Sequence, residues 1–450
     1  MTQQTGVMLS SWLLRLLATA RTDPSLPRTA MVMPLADTAE LAKISFGSAV
    51  PELRAIGVAL TSEIMMQWRT AQPELLGELA HCVADPEYHS DDAAAVLAAI
   101  AGTQPAQEFD PLLPTLIAAL DHESPYGSAT LALARLRHPA AVASVRQWLT
   151  SGRIKPLQAP FDIEHVLIPL VDHAEDLLPA IRASLATESY NSALHPLLRT
   201  LASWGPVAAP ALPELLPYLR NGDARWACEA LGSIGAPAAP AAELLERYAR
   251  GTERPPRHDT GLPPDSPQEW HGTQTAAWAL WRITGESSVA LSVFGDAVEA
   301  GVAVDFDRLA EFGTLAAPLA DHVRTRLDSP GRWERVHAAW AWWRITGDPD
   351  PTIPVLLDAL EPLISGFADA ECRAAVRLIG EVGAAAEGAV PLLESVLSAD
   401  RRFGPLPSHR CQQAQTELIA AQRDSELCDA ARRALTAIAA GRGDTVAPTE

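Results

Sequence analysis

The sequence predicts an all-α fold, a single right-handed α-solenoid of about ten to eleven helical hairpins. Three observations predict it. Residues 276–285 read AAWALWRITG and residues 338–347 read AAWAWWRITG, so nine of ten positions match at an offset of 62. Ends of helical patterns recur along the chain, mostly at steps of about 28 to 36 residues, which marks a repeat. The composition is 48% hydrophobic and rich in alanine, and β-branched or aromatic runs bounded by turns are scarce, which favours closely packed helices.

Taken in order, residues 1–45 fit the repeat register poorly and are expected to form an N-terminal helical cap, which a solenoid end requires. Residues 46–450 are the solenoid, with loop insertions near 251–270 and 399–410 and a shorter one at 152–162. The unit is cleanest over 201–249. Leu212, Leu215, Leu216 and Leu219 form an i, i+3, i+4, i+7 stripe on a first helix spanning 209–219, with Pro210 and Pro213 in or near its first turn. Asn221-Gly222-Asp223 breaks that helix, and Asp223 is placed to cap the next. The second helix carries Ala227, Ala230, Leu231 and Ile234, and Gly235 ends it as a left-handed residue. Residues 236–248 then begin another first helix. The corresponding second-helix ends are Thr70, Gly102, His138, Asp172, Gly205, Gly235, Gly285, Gly313, Gly347 and Gly383, with a last one near Gly441.

The net charge of −20 argues against a dedicated nucleic-acid surface, which needs a basic face to displace counterions. Solubility is the plain reading of that charge, and a basic protein partner the sharper one. Lys43 and Lys155 are the only lysines, so the cations are nearly all arginine, as in a GC-rich bacterial genome. Cys82, Cys228, Cys372, Cys411 and Cys428 are scattered, with no C-x-x-C pair, which fits reduced thiols in a cytoplasm. No apolar run approaches the ~20 residues of a membrane span.

The junction motif is Asp223-x-Arg225 followed by Ala230-Leu231-Gly232-Ser233-Ile234-Gly235, with parallels at Leu309-Ala310-Glu311-Phe312-Gly313 and Ile379-Gly380-Glu381-Val382-Gly383. It resembles the HEAT-repeat family, in the short bacterial form seen in phycobilin-lyase-like proteins, over about residues 50–440. Arg137-His138 and Val171-Asp172 depart from the terminal glycine. The resemblance implies first helices on a convex side, second helices on a concave side, and polar contacts linking neighbouring repeats, to which Asp223, Arg225, Glu334 and Arg335 are assigned. It specifies fold and leaves function open.

Aligning Ala279-Leu280-x-x-Ile283 with Ala230-Leu231-x-x-Ile234 assigns Ala276, Ala279, Leu280 and Ile283 to the core stripe, and Ala338, Ala341, Trp342 and Ile345 in the second copy. At ~100° per residue, Trp278 lies nearly opposite that stripe and Trp281 well off it, with Arg282 on the other flank. Trp340, Trp343 and Arg344 repeat these positions. Either these rings fill gaps where a second helix packs sideways, or Trp278, Trp281, Arg282, Trp340, Trp343 and Arg344 line a groove for a peptide, a helix or a planar ligand. Tryptophan and arginine are enriched at binding hot spots, and arginine stacks on rings.

Enzymatic chemistry finds little support. The di-iron hydroxylases of this fold repeat His-Glu pairs, and here His122-Glu123 stands alone. Glu164, His165, Asp172, His173 and Glu175 make a His/acid cluster without a repeated metal motif, and His81-Cys82 with His89 lacks zinc spacing. No phosphate loop, G-x-S-x-G elbow or H-E-x-x-H motif is present. The sequence is therefore read as a non-enzymatic scaffold or adaptor for a protein or peptide on the concave face, with no catalytic residue, cofactor or metal expected. The alternative is a binder, lyase or chaperone for a planar small molecule such as a tetrapyrrole. A HEAT-like DNA glycosylase ranks last on charge and length.

Overall fold

The computed structural model describes residues 35–70, 72–85, 91–103, 106–122, 127–151, 162–187, 194–220, 224–253, 267–404 and 420–443. The cap over 1–34, Asp223, His89, Glu123, Cys411, and most of the insertions at 152–162, 251–270 and 399–410 lie outside them. The all-α expectation holds: the described residues are helical and form no strand beyond isolated bridges. They fall into two compact units, one within Met1–Ala141 and Ala399–Ser425, the other within Val142–Ile154, Phe161–Ser398 and Glu426–Glu450.

The first unit contains α1 (Leu35–Phe46), α2 (Pro51–Gln67), α3 (Pro73–Ala84), α4 (Asp91–Ile100), α5 (Leu113–Ala118) and α6 (Ser128–Arg135). Consecutive helices pair, and α1, α3 and α5 pack along one row while α2, α4 and α6 pack along another. Arg54 reaches Asp85 at 2.7 Å, and Arg135 Nε donates to the Ala101 carbonyl at 2.9 Å.

A second feature of this unit is non-local. Residues 399–403, read from sequence as part of a loop, run extended beside the end of α2. Arg69 N donates to the Asp400 carbonyl at 2.9 Å, and Arg402 N to that of Gln67 at 2.7 Å, around an antiparallel Trp68–Arg401 bridge. Asp424 is buried at 1% exposure and anchors the arrangement. It accepts from Arg69 Nε and Nη2 at 2.8 and 2.6 Å, from Arg402 Nη1 at 3.2 Å and from Phe403 N at 2.9 Å. Two guanidinium groups and a backbone amide thus satisfy a carboxylate that could not otherwise stay charged away from water.

The second unit runs through α7 (Ala140–Thr150), α8 (Ile163–Leu167), α9 (Ala174–Thr187), α10 (Leu194–Trp204), α11 (Leu212–Leu215), α12 (Ala224–Ile234), α13 (Ala242–Ala249) and α14 (Pro267–Thr284). It continues through α15 (Ser288–Glu299), α16 (Phe306–Glu311), α17 (Ala320–Arg326), α18 (Arg332–Thr346), α19 (Thr352–Asp358), α20 (Glu361–Ile364), α21 (Ala370–Val382) and α22 (Val390–Ser398). The final helix α23 (Ala420–Gly443) is divided between the units at Ser425. Second helices pack side by side in two runs, α8 on α10, α10 on α12 and α12 on α14, then α16 on α18 and α18 on α21. Their predicted stripes are buried: Ala227, Ala230, Leu231 and Ile234, then Ala276, Ala279, Leu280 and Ile283.

Most predicted junctions are where the chain turns. Gly102, Gly205, Gly235, Gly285, Gly313, Gly347 and Gly383 have φ between 53° and 78°. At the His138 junction the left-handed residue is Arg137, at φ 56°, one position earlier than expected. The Asp172 junction has no such residue; α8 passes into a 3-10 segment, Ile168–His173, kinked at Leu170. α2 ends at Gln67 rather than Thr70, and α23 is described as far as Gly443, two residues past the end expected near Gly441. The predicted first helix at 209–219 is only a short α turn, Leu212–Leu215, between the 3-10 segments Gly205–Ala211 and Leu216–Arg220. Pro206, Pro210, Pro213 and Pro217 each remove a backbone donor, so an unbroken i→i−4 ladder cannot form. The same holds at 236–248, where Ala236–Ala241 is 3-10 and the α-helix begins at Ala242.

Replacing Asp424 by alanine leaves Arg69 and Arg402 enclosed without their shared anion. Unfolding in urea should show a loss of about 3–5 kcal/mol in the first unit. A loss below about 1 kcal/mol, the value of a surface pair, would mean that the cluster contributes no more than an exposed one.

Candidate functional site

Aligned on their buried stripes, the second helices of the second unit carry Glu229, Trp278, Asp307, Trp340 and Arg377 at one equivalent position. They carry Ser233, Arg282, Glu311, Arg344 and Glu381 four residues, about one turn, further on. A diagonal hydrogen bond links the two positions across neighbouring helices and occurs once for each decapeptide. Trp278 Nε1 donates to Glu311 Oε2 at 3.1 Å, and Trp340 Nε1 donates to Glu381 Oε2 at 3.0 Å. Each acceptor stands two residues before the terminal glycine of the next second helix.

The six predicted residues divide accordingly. Trp278 is 6% exposed, although it points away from its own helix's core stripe. Its ring lies on Gly232 of α12, where an added Cβ would overlap it, and Arg308 of α16 sits 5.3 Å from the ring centroid. Trp281 is half-buried and stacks on Phe312, centroids 4.1 Å apart. Arg282 is exposed and reaches Glu311 at 3.8 Å. Trp340 and Trp343 are half-buried, and Arg344 is exposed. The side chains of Trp343 and Arg344 make no hydrogen bond, ion pair or ring contact among the described residues. Trp342, expected in the core stripe, is only half-buried; Arg324 lies 5.4 Å from its ring, and its buried Nε1 has no acceptor. Leu280 can be enclosed at that position, whereas the larger indole spills out.

Sequence reading missed Glu311 and Glu381 as acceptors. The signal was present in Glu311-Phe312-Gly313 and Glu381-Val382-Gly383, each following a decapeptide by one hairpin. It missed a polar cluster on α12, α14 and α16 as well. Asp305 caps α16 through Arg308 N at 3.1 Å, pairs with the Arg308 side chain, and lies 3.5 Å from His271 Nδ1. Arg308 also reaches Glu229 at 3.6 Å. Ion pairs join residues on successive helices, with other members than those named: Arg182–Glu214 at 2.9 Å, Arg332–Asp369 at 2.5 Å, and Arg199 on Glu164. Of the named ones, Arg335 pairs with Asp358 at 2.9 Å, while Arg225 makes no ion pair among the described residues.

Of the predicted His/acid cluster, Glu164 and His165 come together with Asp162, which was not among its named members, and the ligand atoms of these three lie within 4.8 Å of one another. Its geometry already has a use. Asp162 N donates to His165 Nδ1 and Glu164 N to Asp162 Oδ1, each at 3.2 Å, which caps α8. Arg199 pairs with both carboxylates, so a guanidinium stands where a metal ion would compete. Burial pushes the Cys228 and Cys372 thiols up to about 12, so neither is a thiolate nucleophile near neutral pH.

No protein-family model matches the chain, and no curated protein matches it.

Two outcomes test this geometry. Gly232→Ala places a methyl group where the Trp278 ring lies, and should cost about 1–3 kcal/mol in urea denaturation; a neutral result would mean that the ring moves aside freely. Burial raises the Glu311 pKa, against the hydrogen bond from Trp278 and the charges of Arg282 and Arg308, which lower it. The folded protein then holds this proton more tightly than the unfolded chain. Its stabilising contribution is present below the ordinary carboxylate pKa and is lost as pH rises through the folded value. Relative to Glu311→Gln, the wild type should therefore lose stability as pH rises from about 4.5. The opposite slope would show the hydrogen bond to be the stronger influence.

Proposed function

We propose that the chain is a HEAT-like α-solenoid acting as a non-enzymatic scaffold or adaptor, which holds a protein or peptide partner on the concave face formed by its second helices. The observation that carries this reading is the state of Trp343 and Arg344. They repeat Trp281 and Arg282, the indole is half-buried and the guanidinium exposed, and among the described residues no hydrogen bond, ion pair or ring contact engages either side chain. A half-buried indole beside a free guanidinium is the combination that supplies binding energy at protein interfaces. The row of Arg282, Glu311, Arg344 and Glu381 alternates in sign at one equivalent position on successive second helices. That alternation suits an extended partner crossing the helices and disfavours a uniformly charged polymer. A planar small ligand is served less well, because Trp278 is enclosed and Trp281 already stacks on Phe312.

A photo-cross-linking residue at position 343 should capture a discrete protein in cells, and one at Leu315, exposed on a 3-10 segment of the first row, should not. The captured protein, once purified, should bind the wild-type chain about tenfold or more tightly than a Trp343→Ala/Arg344→Glu variant. Equal capture at both positions, or equal affinity for the variant, would remove the reading.

A further inference from the structure

The charge of the second-helix face changes sign along the second unit. Take the residues from four before to four after the position that Trp278 and Trp340 share. On α12, on α14 and on α16 with the residues leading into it, they include Arg225, Arg282 and Arg308 against Glu229, Asp305, Asp307 and Glu311. On α18, α21 and α23 they include Arg344, Arg373, Arg377, Arg432 and Arg433 against Glu381 and Asp429. The part of α23 beyond Ser425 belongs to the second unit and extends the row. Ala375 and Leu378 are enclosed on either side of Arg377, as Ala431 and Ala434 are on either side of Arg433. Backbone contact sets the same register. A Cβ on Gly380 of α21 would lie 3.3 Å from the Ala434 Cα, just as one on Gly232 of α12 would lie 2.9 Å from the Ala279 Cα.

Some of these groups are engaged. Asp429 pairs with Arg432 at 2.6 Å, Glu381 accepts from Trp340 at 3.0 Å, and Arg373 donates to the Ala368 carbonyl at 2.8 Å. Arg344, Arg377 and Arg433 are exposed, and their side chains make no hydrogen bond, ion pair or ring contact among the described residues. Neighbouring helices pack about 8–10 Å apart, so these three arginines span about 16–20 Å, the length of roughly five or six residues of extended chain. Trp343 holds on α18 the position that Gly232 holds on α12, so its half-buried indole is turned toward the next helix, α21, at the level of Arg377.

We propose that this end of the face docks an acidic segment of a protein partner. The segment is extended, offers carboxylates to Arg344, Arg377 and Arg433, and lays an apolar side chain against Trp343. The proposal rests on the partner-binding reading and names the partner's chemistry there. A nucleic acid fits less well. Its phosphates would continue past the arginines onto Asp307 and Glu311, and a chain of net charge −20 repels a polyanion at long range. A short acidic stretch ends where the arginines do.

The test titrates the full chain, by fluorescence anisotropy, into a labelled hexapeptide alternating glutamate and leucine. Binding should saturate and should weaken as salt is added. Arg377→Glu/Arg433→Glu should weaken it by about tenfold or more. Arg146→Glu/Arg220→Glu makes the same charge change at exposed arginines on α7 and on the 3-10 segment Leu216–Arg220, and should weaken it by less than about twofold. All four arginines are exposed, so the variants keep the fold, which thermal unfolding checks; Arg377→Lys/Arg433→Lys should retain most of the affinity. Equal loss in the two charge reversals, equal binding of the glutamine–leucine hexapeptide, or tighter binding of an oligothymidylate with the same number of charges overturns the proposal. Failure here alongside specific capture at position 343 rejects the acidic segment alone. Peptide binding that the Arg377/Arg433 reversal removes, without capture at 343, keeps the acidic-peptide site and rejects the scaffold reading.

Discussion

The positive-φ turn that ends most of its second helices is the constraint on which the second unit depends. A residue with φ near +70° closes the helix and turns the chain into the following first helix. Gly235, at φ 78°, and Gly313, at φ 53°, do this at equivalent points, and Gly285 and Gly347 do so one residue later relative to the buried stripe. Because the turns fall within one residue of a common register, so do the positions preceding them. That register lets Trp278 find Glu311 and Trp340 find Glu381, although the two pairs are 33 and 41 residues apart in sequence. The diagonal bonds follow from the turns, with little freedom left to the side chains.

A second consequence concerns charge. The chain carries −20, yet acids on the second-helix face are largely consumed within it. Glu229 and Asp305 serve Arg308, Glu164 serves Arg199, Asp369 serves Arg332, and Glu381 accepts from Trp340. Among the described residues, arginines on that face without a hydrogen-bond or ion-pair partner for their side chains include Arg225, Arg344 and Arg377. Net charge therefore describes the molecule's solubility and not the local character of this surface.

The helical class, the stripes and most turns were legible because each is local: a glycine at a helix end and apolar residues at i, i+3 and i+4 leave their mark within one element. For Trp278 the sequence left two readings open, a gap-filling ring or a groove residue, because helical periodicity knows only one core side; the ring fills the gap. A helix flanked on both sides by neighbours buries a lateral face as well, and Gly232 on the preceding helix is what admits the ring. The 3-10 character at 205–220 was readable from Pro206, Pro210, Pro213 and Pro217, once their missing donors are weighed against the leucine stripe. The Asp424 cluster was not readable at all. Its partner Arg69 is 355 residues away, and no pattern within one repeat encodes that pairing.

The two decapeptides give the sharpest view of what packing explains. Ala276, Ala277, Ala338 and Ala339 are fully enclosed, so small size is required there. Trp278 and Trp340 share an acceptor geometry, so the indole N–H is required too. The one altered position, Leu280 against Trp342, is one where the two environments differ in how far they enclose the side chain. Among the remaining identities are Trp281 with Trp343 and Arg282 with Arg344, and here the environments do not match. Trp281 has Phe312 and Arg282 has Glu311, while Trp343 and Arg344 have no comparable contact. Val382 stands at the position equivalent to Phe312, so no aromatic side chain is supplied there. Stability within the chain accounts for these residues in the first copy only. A partner touching both copies accounts for them in each, and this is why the binding reading is placed on Trp343 and Arg344 rather than on the enclosed Trp278.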